Sequence, residues 1–184
     1  MDSFSRIERS NYRKYLCTHE RYRITLHRKS EQTERNNRKN GKDIHGFFIM
    51  TLMKITLETL PDYLFDLHPW DRIFLIGKLW AGKTTFSQAL IRRFLQDIKL
   101  SVTSPTYTYY QEYPNNLYHF DLYRVENPED IVRIGAEEIF DNPDSICIVE
   151  WPEILGDSIS ATKIIELTET EGWREISITD CQAS

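Results

Sequence analysis

Two runs of consecutive apolar residues predict strands that are buried on both faces. The first, Arg72–Ile76, is followed by glycine, and the second, Ser145–Glu150, ends in a carboxylate. Such runs are typical of strands at the centre of a sheet that is covered on both sides. After Thr84 the apolar positions recur instead at helical spacing, with polar side chains between them: Phe86, Ala89, Leu90, Phe94 and Leu95. The pattern therefore predicts a strand, a Gly-containing turn and a helix in that order.

The rest of the pattern predicts two antiparallel hairpins, one more helix and a short first strand. The first hairpin turns at Pro114–Asn116 between two aromatic, β-favouring runs, and the second turns at the end of the chain around Glu171–Gly172. The predicted bounds are Lys54–Leu57 for the first strand, Leu60–Leu67 for a brief helical or irregular segment, Tyr107–Tyr113 and Leu117–Tyr123 for the first hairpin, Pro128–Ile139 for the helix after the cap Asn127, and Lys163–Leu167 and Glu175–Ile178 for the second hairpin. Strands interleaved with helices predict an α/β layered domain.

Charge divides the chain near position 46. Residues 1–46 hold 12 lysines and arginines against 6 acids, whereas residues 47–184 hold 11 against 22. The first segment is poor in aliphatic residues, so it cannot bury enough apolar surface to offset its ordering entropy. We therefore predict a basic, disordered extension at 1–46 and a globular domain at 47–184. Two alternatives for the extension stay open: a basic arm that contacts RNA, or sequence upstream of the true start, since Met50 and Met53 stand where the globular pattern begins.

Several classes of protein are disfavoured by composition. No apolar run approaches the length of a membrane span, and no secretory signal pattern is present. The three cysteines are widely spaced and odd in number, so they form neither a disulfide framework nor a metal cluster. This usage is typical of a reducing compartment, and we expect a cytoplasmic protein that does not contact a membrane.

The turn before the predicted helix matches the phosphate-loop pattern G-x-x-x-x-G-K-S/T at Gly77–Thr84. Glycines allow the backbone N–H groups to turn toward phosphates, and Lys83 would bring a positive charge to the β- and γ-phosphate oxygens. The Thr84 hydroxyl is a candidate Mg²⁺ ligand, and the start of the helix favours an anion. We predict ATP or ADP with Mg²⁺ as the ligand. The predicted nucleotide contacts are Gly77, Leu79, Trp80, Ala81, Gly82, Lys83, Thr84 and Thr85.

A phosphate loop of this type needs a carboxylate from a neighbouring strand to hold or orient Mg²⁺. Glu150 is the favoured candidate because it closes an apolar strand, and ligands bind at the carboxyl ends of strands in open α/β sheets. Asp121 is the second candidate, although it could equally pair with Arg124 for a structural reason. The segment Thr103–Thr106 is either a loop that senses the γ-phosphate or a simple turn before a strand.

Four segments together resemble the TsaE (YjeE) family, small bacterial P-loop ATPases required for threonylcarbamoyladenosine modification of tRNA. The resemblance covers residues 53–180. The segments are Ala81–Phe86, Ser104–Thr108, Tyr118–Arg124 and Val149–Glu153.

The resemblance implies a P-loop NTPase-like, three-layer αβα fold with a mixed, mainly parallel sheet and an antiparallel hairpin. It implies that Thr84 and Glu150 contact Mg²⁺ and that Thr103–Tyr107 forms a switch-like loop. The implied partners are the TsaD and TsaB subunits, with tRNA contacted indirectly through the complex. With the residues above, it leads us to predict that Lys83, Thr106, Asp121 and Glu150 are catalytic.

Two residues depart from the usual family loop, Gly-Asp-Leu-Gly-Ala-Gly-Lys-Thr. Lys78 replaces the Asp and Trp80 replaces the second Gly, where a positive φ would strain a tryptophan. The leading hypothesis is an ATP-binding, weakly hydrolysing accessory protein of the tRNA modification complex. One alternative is a non-catalytic interaction module with a degenerate loop, and another is a small-molecule kinase that uses the same loop.

Overall fold

A computed structural model describes residues 53–171 and 173–181, so the extension predicted at 1–46 lies outside the described residues. The strands are β1 (Met53–Ile55), β2 (Arg72–Ile76), β3 (Tyr110–Tyr113), β4 (Leu117–Asp121), β5 (Ile146–Glu150), β6 (Lys163–Thr170) and β7 (Trp173–Asp180). The α-helices are α1 (Lys83–Leu95), α2 (Glu129–Arg133) and α3 (Ala136–Asp141), and 3₁₀ turns lie at Leu60–Tyr63 and Pro152–Leu155.

The strands form one mixed sheet in the order β1-β7-β6-β2-β5-β4-β3. Its centre is parallel, because β2 pairs with both β5 and β6, and β5 pairs with β4. The antiparallel pairs are the hairpins β3–β4 and β6–β7 and the addition of β1 to β7. Parallel and antiparallel pairs are thus equally frequent in the described sheet, and the parallel ones are confined to its centre.

Both faces of the sheet are covered, which gives the three layers predicted for the fold. On one face α1 buries Phe86, Leu90 and Ile91 against alternate residues of the central strands, such as Ile73 and Ile148. On the other face the residues between those positions pack beneath α2 and α3, with the Phe120 and Phe140 rings stacked 4.8 Å apart. Because apolar residues of β2 and β5 are buried on both faces, the sequences of these two strands are nearly continuous apolar runs.

The predicted helix at Pro128–Ile139 is in fact two short helices. Gly135 separates them with a φ of 72°, in the left-handed region that only glycine enters at little cost. Asn127 is not the cap either, because Pro128 takes that place and no side chain caps the helix. Both predicted hairpins are present, the first with shorter strands than predicted and the second with longer ones.

Arg72 is buried at the start of β2, at the opposite end of the strand from the Gly-containing turn. Its Nη1 donates to Ser145 O (2.8 Å), and its Nη2 donates to Phe140 O (2.6 Å) and Asn142 O (3.1 Å). These carbonyls lie at and after the C-terminal end of α3, so the guanidinium ties that helix to the sheet. Burial lowers the pKa of Arg72.

Cys147 is fully buried in β5, as expected for a small core residue. Burial raises the pKa of its thiol to about 11, which keeps it protonated at neutral pH. No helix in the described part of the chain has the length and hydrophobicity that a membrane crossing requires.

Candidate phosphate-binding site

The turn between β2 and α1 uses three residues with positive φ: Gly77 (152°), Trp80 (69°) and Gly82 (103°). A Cβ on Gly77 would lie 2.4 Å from Leu167 O, so this glycine is required by the close approach of β6 as well as by its backbone. The loop closes through a hydrogen bond from Ala81 N to Lys78 O (3.1 Å), and the helical bonds begin with Phe86 N to Gly82 O (3.0 Å).

The start of α1 is open to an anion. No side chain caps this end of the helix, and its first turn contains no acidic residue. The first N–H groups of a helix lack partners within the helix, and the helix dipole places partial positive charge there. A 13-residue helix that begins this way directly after a glycine turn has the geometry of an anion-binding site.

Lys83 lies at this position and is 5% exposed. Its Nζ donates to Gly77 O (2.6 Å) and Lys78 O (2.9 Å), and it lies 3.6 Å from the centre of the Trp151 ring. The charge is therefore held over the loop by carbonyl oxygens and an aromatic face. Trp151 directly follows β5 and packs on Tyr123 on its other side (ring centres 4.9 Å apart).

Glu150 ends β5 and is 1% exposed. Its Oε2 accepts a hydrogen bond from Thr84 Oγ1 (2.8 Å), and its Oε1 accepts from Ser87 Oγ (3.0 Å) and His119 Nε2 (2.8 Å). The structure thus brings the two predicted metal ligands, Thr84 and Glu150, into direct contact. A buried carboxylate is costly unless such donors surround it.

Asp121 ends β4 and organises the loop before the first hairpin. Its Oδ2 accepts from Ser104 Oγ (2.7 Å) and from Thr106 Oγ1, and its Oδ1 accepts from Tyr123 N (3.1 Å). The alternative pairing with Arg124 is not made among the described ion pairs, since that guanidinium lies over the Tyr107 ring (4.4 Å). Asp121 therefore connects the predicted switch-like loop to the sheet.

The strand register explains why the two acids lie at the same edge. Glu150 pairs with Leu75 on one side and with Asp121 on the other, all near the carboxyl ends of parallel strands. The phosphate loop begins two residues beyond Leu75. In open α/β sheets this edge is where ligands bind.

The remaining predicted contact residues differ in exposure. Leu79 (48%) and Trp80 (80%) are exposed at the tip of the loop, and Thr85 is exposed on α1. Ala81 is fully buried, so its side chain belongs to the core and only its backbone can face a ligand. The backbone at Trp80 is also held by β7, because Arg174 Nη2 donates to Trp80 O (3.3 Å).

Sequence reasoning missed Ser87 and His119 as part of the site. Ser87 lies one helical turn after Lys83, on the buried face of α1, and its spacing alone could have identified it. His119 stands two residues before Asp121 on a strand, so both side chains point to the same face of the sheet. The two-residue spacing of His119 and Asp121 was visible in the sequence. The contact of His119 with Glu150, however, depends on the pairing of β4 with β5.

The donor set suits Mg²⁺. Thr84 and Glu150 offer hard oxygen ligands, and Mg²⁺ prefers one or two such protein groups together with phosphate oxygens and water. Within the described residues no group of three or more His, Cys, Asp or Glu side chains forms a metal-binding cluster.

The fold and the loop define an α/β protein of the P-loop NTPase type. Comparison with known proteins is more specific: the family described as threonylcarbamoyl adenosine biosynthesis protein TsaE matches residues 52–176. The chain belongs to the TsaE family.

Curated relatives from several bacteria agree with this assignment. The chain is 39% identical to the tRNA threonylcarbamoyladenosine biosynthesis protein TsaE of Rickettsia typhi over 93 residues, which are 49% of this chain and 62% of that protein. It is 46% identical to the TsaE protein of Haemophilus influenzae over 86 residues (44% and 51%) and 32% identical to that of Bacillus subtilis over 114 residues (60% and 69%). The chain thus spans a little over half the length of the first two relatives.

Among solved structures, the crystal structure of Bacillus subtilis YdiB matches with a TM-score of 0.53 at 22% identity. The match covers 74% of this chain and 89% of that one. This likeness supports the fold.

Proposed function

We propose that this chain binds ATP and Mg²⁺ at Gly77–Thr84 and hydrolyses ATP slowly, as an accessory protein of threonylcarbamoyladenosine modification of tRNA in the cytoplasm. The observation that carries the proposal is the convergence of Lys83, Thr84 and Glu150 at the start of α1. Lys83 and Thr84 are the first two residues of α1, and Glu150 ends β5. Lys83 Nζ donates to Gly77 O in the loop, and Thr84 Oγ1 donates to Glu150 Oε2.

Mg²⁺-ATP, when bound, supplies a γ-phosphoryl group that water can attack in line. Lys83 would exchange the carbonyls of Gly77 and Lys78 for phosphate oxygens, since a phosphate is a stronger acceptor than a carbonyl. Trp151 would shield the ammonium from water, because its ring centre lies 3.6 Å from Nζ in this structure. Thr84 and Glu150 hold the metal side of the site.

Asp121 and Thr106 would connect the nucleotide site to the predicted switch-like loop. Because Asp121 binds both Ser104 and Thr106, the loop has one defined arrangement in this structure. A γ-phosphate that attracts either hydroxyl would compete with Asp121 for it. This competition is a physical means by which the loop distinguishes ATP from ADP.

The proposed partners are TsaD and TsaB, and tRNA is reached through their complex. Support for this step comes from family membership, since the relatives carry names that place them in the biosynthesis of threonylcarbamoyladenosine. The strongly acidic balance of residues 47–184 also disfavours direct contact of this domain with tRNA.

The test is ATP turnover by the full chain with and without a TsaB–TsaD pair. We expect slow turnover alone, stimulation by the pair, and loss of at least about 100-fold in Glu150→Gln, because the charge on the metal side is removed. Glu129→Gln is the matched control, since Glu129 is an exposed carboxylate on α2. Intact nucleotide binding without stimulation would refute the ATPase part of the proposal.

One observation favours a second candidate, the non-catalytic interaction module. Trp80 and Leu79 present apolar surface at the loop tip, and Trp80 has a positive φ, which is unfavourable for a bulky residue. A titration with fluorescent ADP distinguishes the two candidates. Absent binding that returns in Trp80→Gly would support the interaction module, whereas binding by the natural chain supports the ATPase.

A further inference from the structure

We propose that His119 is a positioning residue that fixes the orientation of the Glu150 carboxylate, so that Oε2 is the oxygen presented to the metal side of the site. The proposal rests on the proposed function, because it concerns how Glu150 serves Mg²⁺ and nucleotide. It assigns a role to a fully buried side chain that the mechanism above does not use.

The two oxygens of Glu150 have different surroundings. Among the described residues, Oε2 accepts from the Thr84 hydroxyl alone, at the start of α1. Oε1 accepts from Ser87 on α1 and from His119 on β4. A carboxylate has about four acceptor positions, so Oε2 retains capacity on the side of the loop, whereas Oε1 is filled.

Only one of the two donors to Oε1 is committed to it. The Ser87 hydroxyl has a single hydrogen and lies within reach of two acceptors, Glu150 Oε1 (3.0 Å) and Lys83 O (3.1 Å). His119 Nε2 contacts Glu150 Oε1 at 2.8 Å, and it must carry the hydrogen there because an ionised carboxylate only accepts. His119 is therefore the donor that holds Oε1 continuously.

The second ring nitrogen supports this assignment. His119 Nδ1 is buried and has no hydrogen-bond partner among the described residues. Because Nδ1 makes no hydrogen bond there, Nε2 makes the one side-chain hydrogen bond of this ring among the described residues, and that bond goes to Glu150. The ring is held in β4, which pairs with β5 so that His119 stands diagonally across from Glu150 on the same face.

The consequence concerns metal binding more than folding. Without the His119 donor, the Glu150 side chain would exchange its oxygens and rotate toward Ser87, which loosens the oxygen beside Thr84. Removing a residue that orients a metal ligand typically lowers metal affinity by about 10- to 100-fold. Nucleotide binding without metal depends on Lys83 and the loop N–H groups, so it should change little.

The experiment measures the affinity of the full chain for fluorescent ADP, once in EDTA and once in saturating Mg²⁺. The affinity in Mg²⁺ divided by the affinity in EDTA is the Mg²⁺ gain. The matched pair is His119→Gln, whose amide nitrogen reaches the place of Nε2, and His119→Asn, whose amide is one methylene too short. Leu117→Ala is the control for general loosening of the core, because Leu117 is buried in the same strand without contact to the carboxylate. If His119→Asn does not fold by circular dichroism, His119→Leu replaces it.

We expect the Asn variant to lose about 10-fold of the Mg²⁺ gain with its affinity in EDTA kept within about twofold, and the Gln variant and Leu117→Ala to keep the gain. An unchanged gain in His119→Asn overturns the positioning role while leaving the proposed function intact. An equal loss in Leu117→Ala also overturns it, because general loosening would then explain the effect. Absence of any Mg²⁺ gain in the natural chain would instead refute the metal part of the proposed function, and this inference with it.

Discussion

Replacement of Arg72 by methionine should destabilise the domain by about 3 kcal/mol. Methionine keeps much of the volume and removes the donors to Ser145 O, Phe140 O and Asn142 O. A hydrogen bond from a charged donor contributes about 1.5 kcal/mol or more. Removing the guanidinium from water costs free energy in the natural chain, as the lowered pKa of Arg72 indicates. The methionine variant does not bear this desolvation cost, so the loss of the hydrogen bonds is partly offset. The net loss of about 3 kcal/mol corresponds to about 1 kcal/mol for each of the three carbonyls that loses this donor.

The assay is equilibrium unfolding in urea. A domain of this size has an m value of about 1.5 kcal/mol/M, so the midpoint should fall by about 2 M with m unchanged. Arg133→Met is the matched control. Arg133 is 70% exposed and, among the described residues, pairs only with acids on its own helix, so its removal should cost under about 0.5 kcal/mol.

The same variant separates stability from the candidate site. Arg72 lies at the far end of β2 from Gly77, so folded Arg72→Met should bind fluorescent ADP within about twofold of the natural chain, whereas removing a direct contact would cost about tenfold or more. A loss of stability below about 1 kcal/mol, or one equal to that of Arg133→Met, would refute the reasoning that this guanidinium ties α3 to the sheet.

Three other outcomes follow from the structure. Gly77→Ala should lose about 2 kcal/mol or more by thermal unfolding, because its Cβ meets Leu167 O, and a wild-type melting temperature would contradict the close approach. Asp121→Asn should make the Ser104–Tyr107 segment more sensitive to limited proteolysis while affinity for ADP is kept; unchanged cleavage would argue against its role in holding the loop. Because burial raises the pKa of Cys147, its contribution to the free energy of unfolding should decrease as pH rises from about 9 toward 11, by at most about 1.4 kcal/mol per pH unit, and Cys147→Ala should lack this slope.

Local sequence was sufficient to predict the strands and the helix that have a clear pattern of apolar residues. The buried strands predicted at Arg72–Ile76 and Ser145–Glu150 are present with bounds within one residue of those predicted, and the predicted helix begins at Lys83, one residue before Thr84. Apolar runs and helical spacing are properties of neighbouring residues, so they need no knowledge of the rest of the chain. The helix predicted at Pro128–Ile139 failed because the pattern passes through Gly135, whose left-handed backbone is not visible in hydrophobicity.

What the sequence by itself determined was the phosphate loop, the two candidate carboxylates and the family. Each can be recognised from residue types and short sequence patterns, without knowing which residues are close in space. Only the tertiary structure decided that Glu150 contacts Thr84, Ser87 and His119, that Asp121 holds Ser104 and Thr106 in place of Arg124, and that Arg72 is buried under α3. These contacts join residues up to 73 positions apart, and they exist because β5 lies between β2 and β4, a strand order that no local pattern encodes.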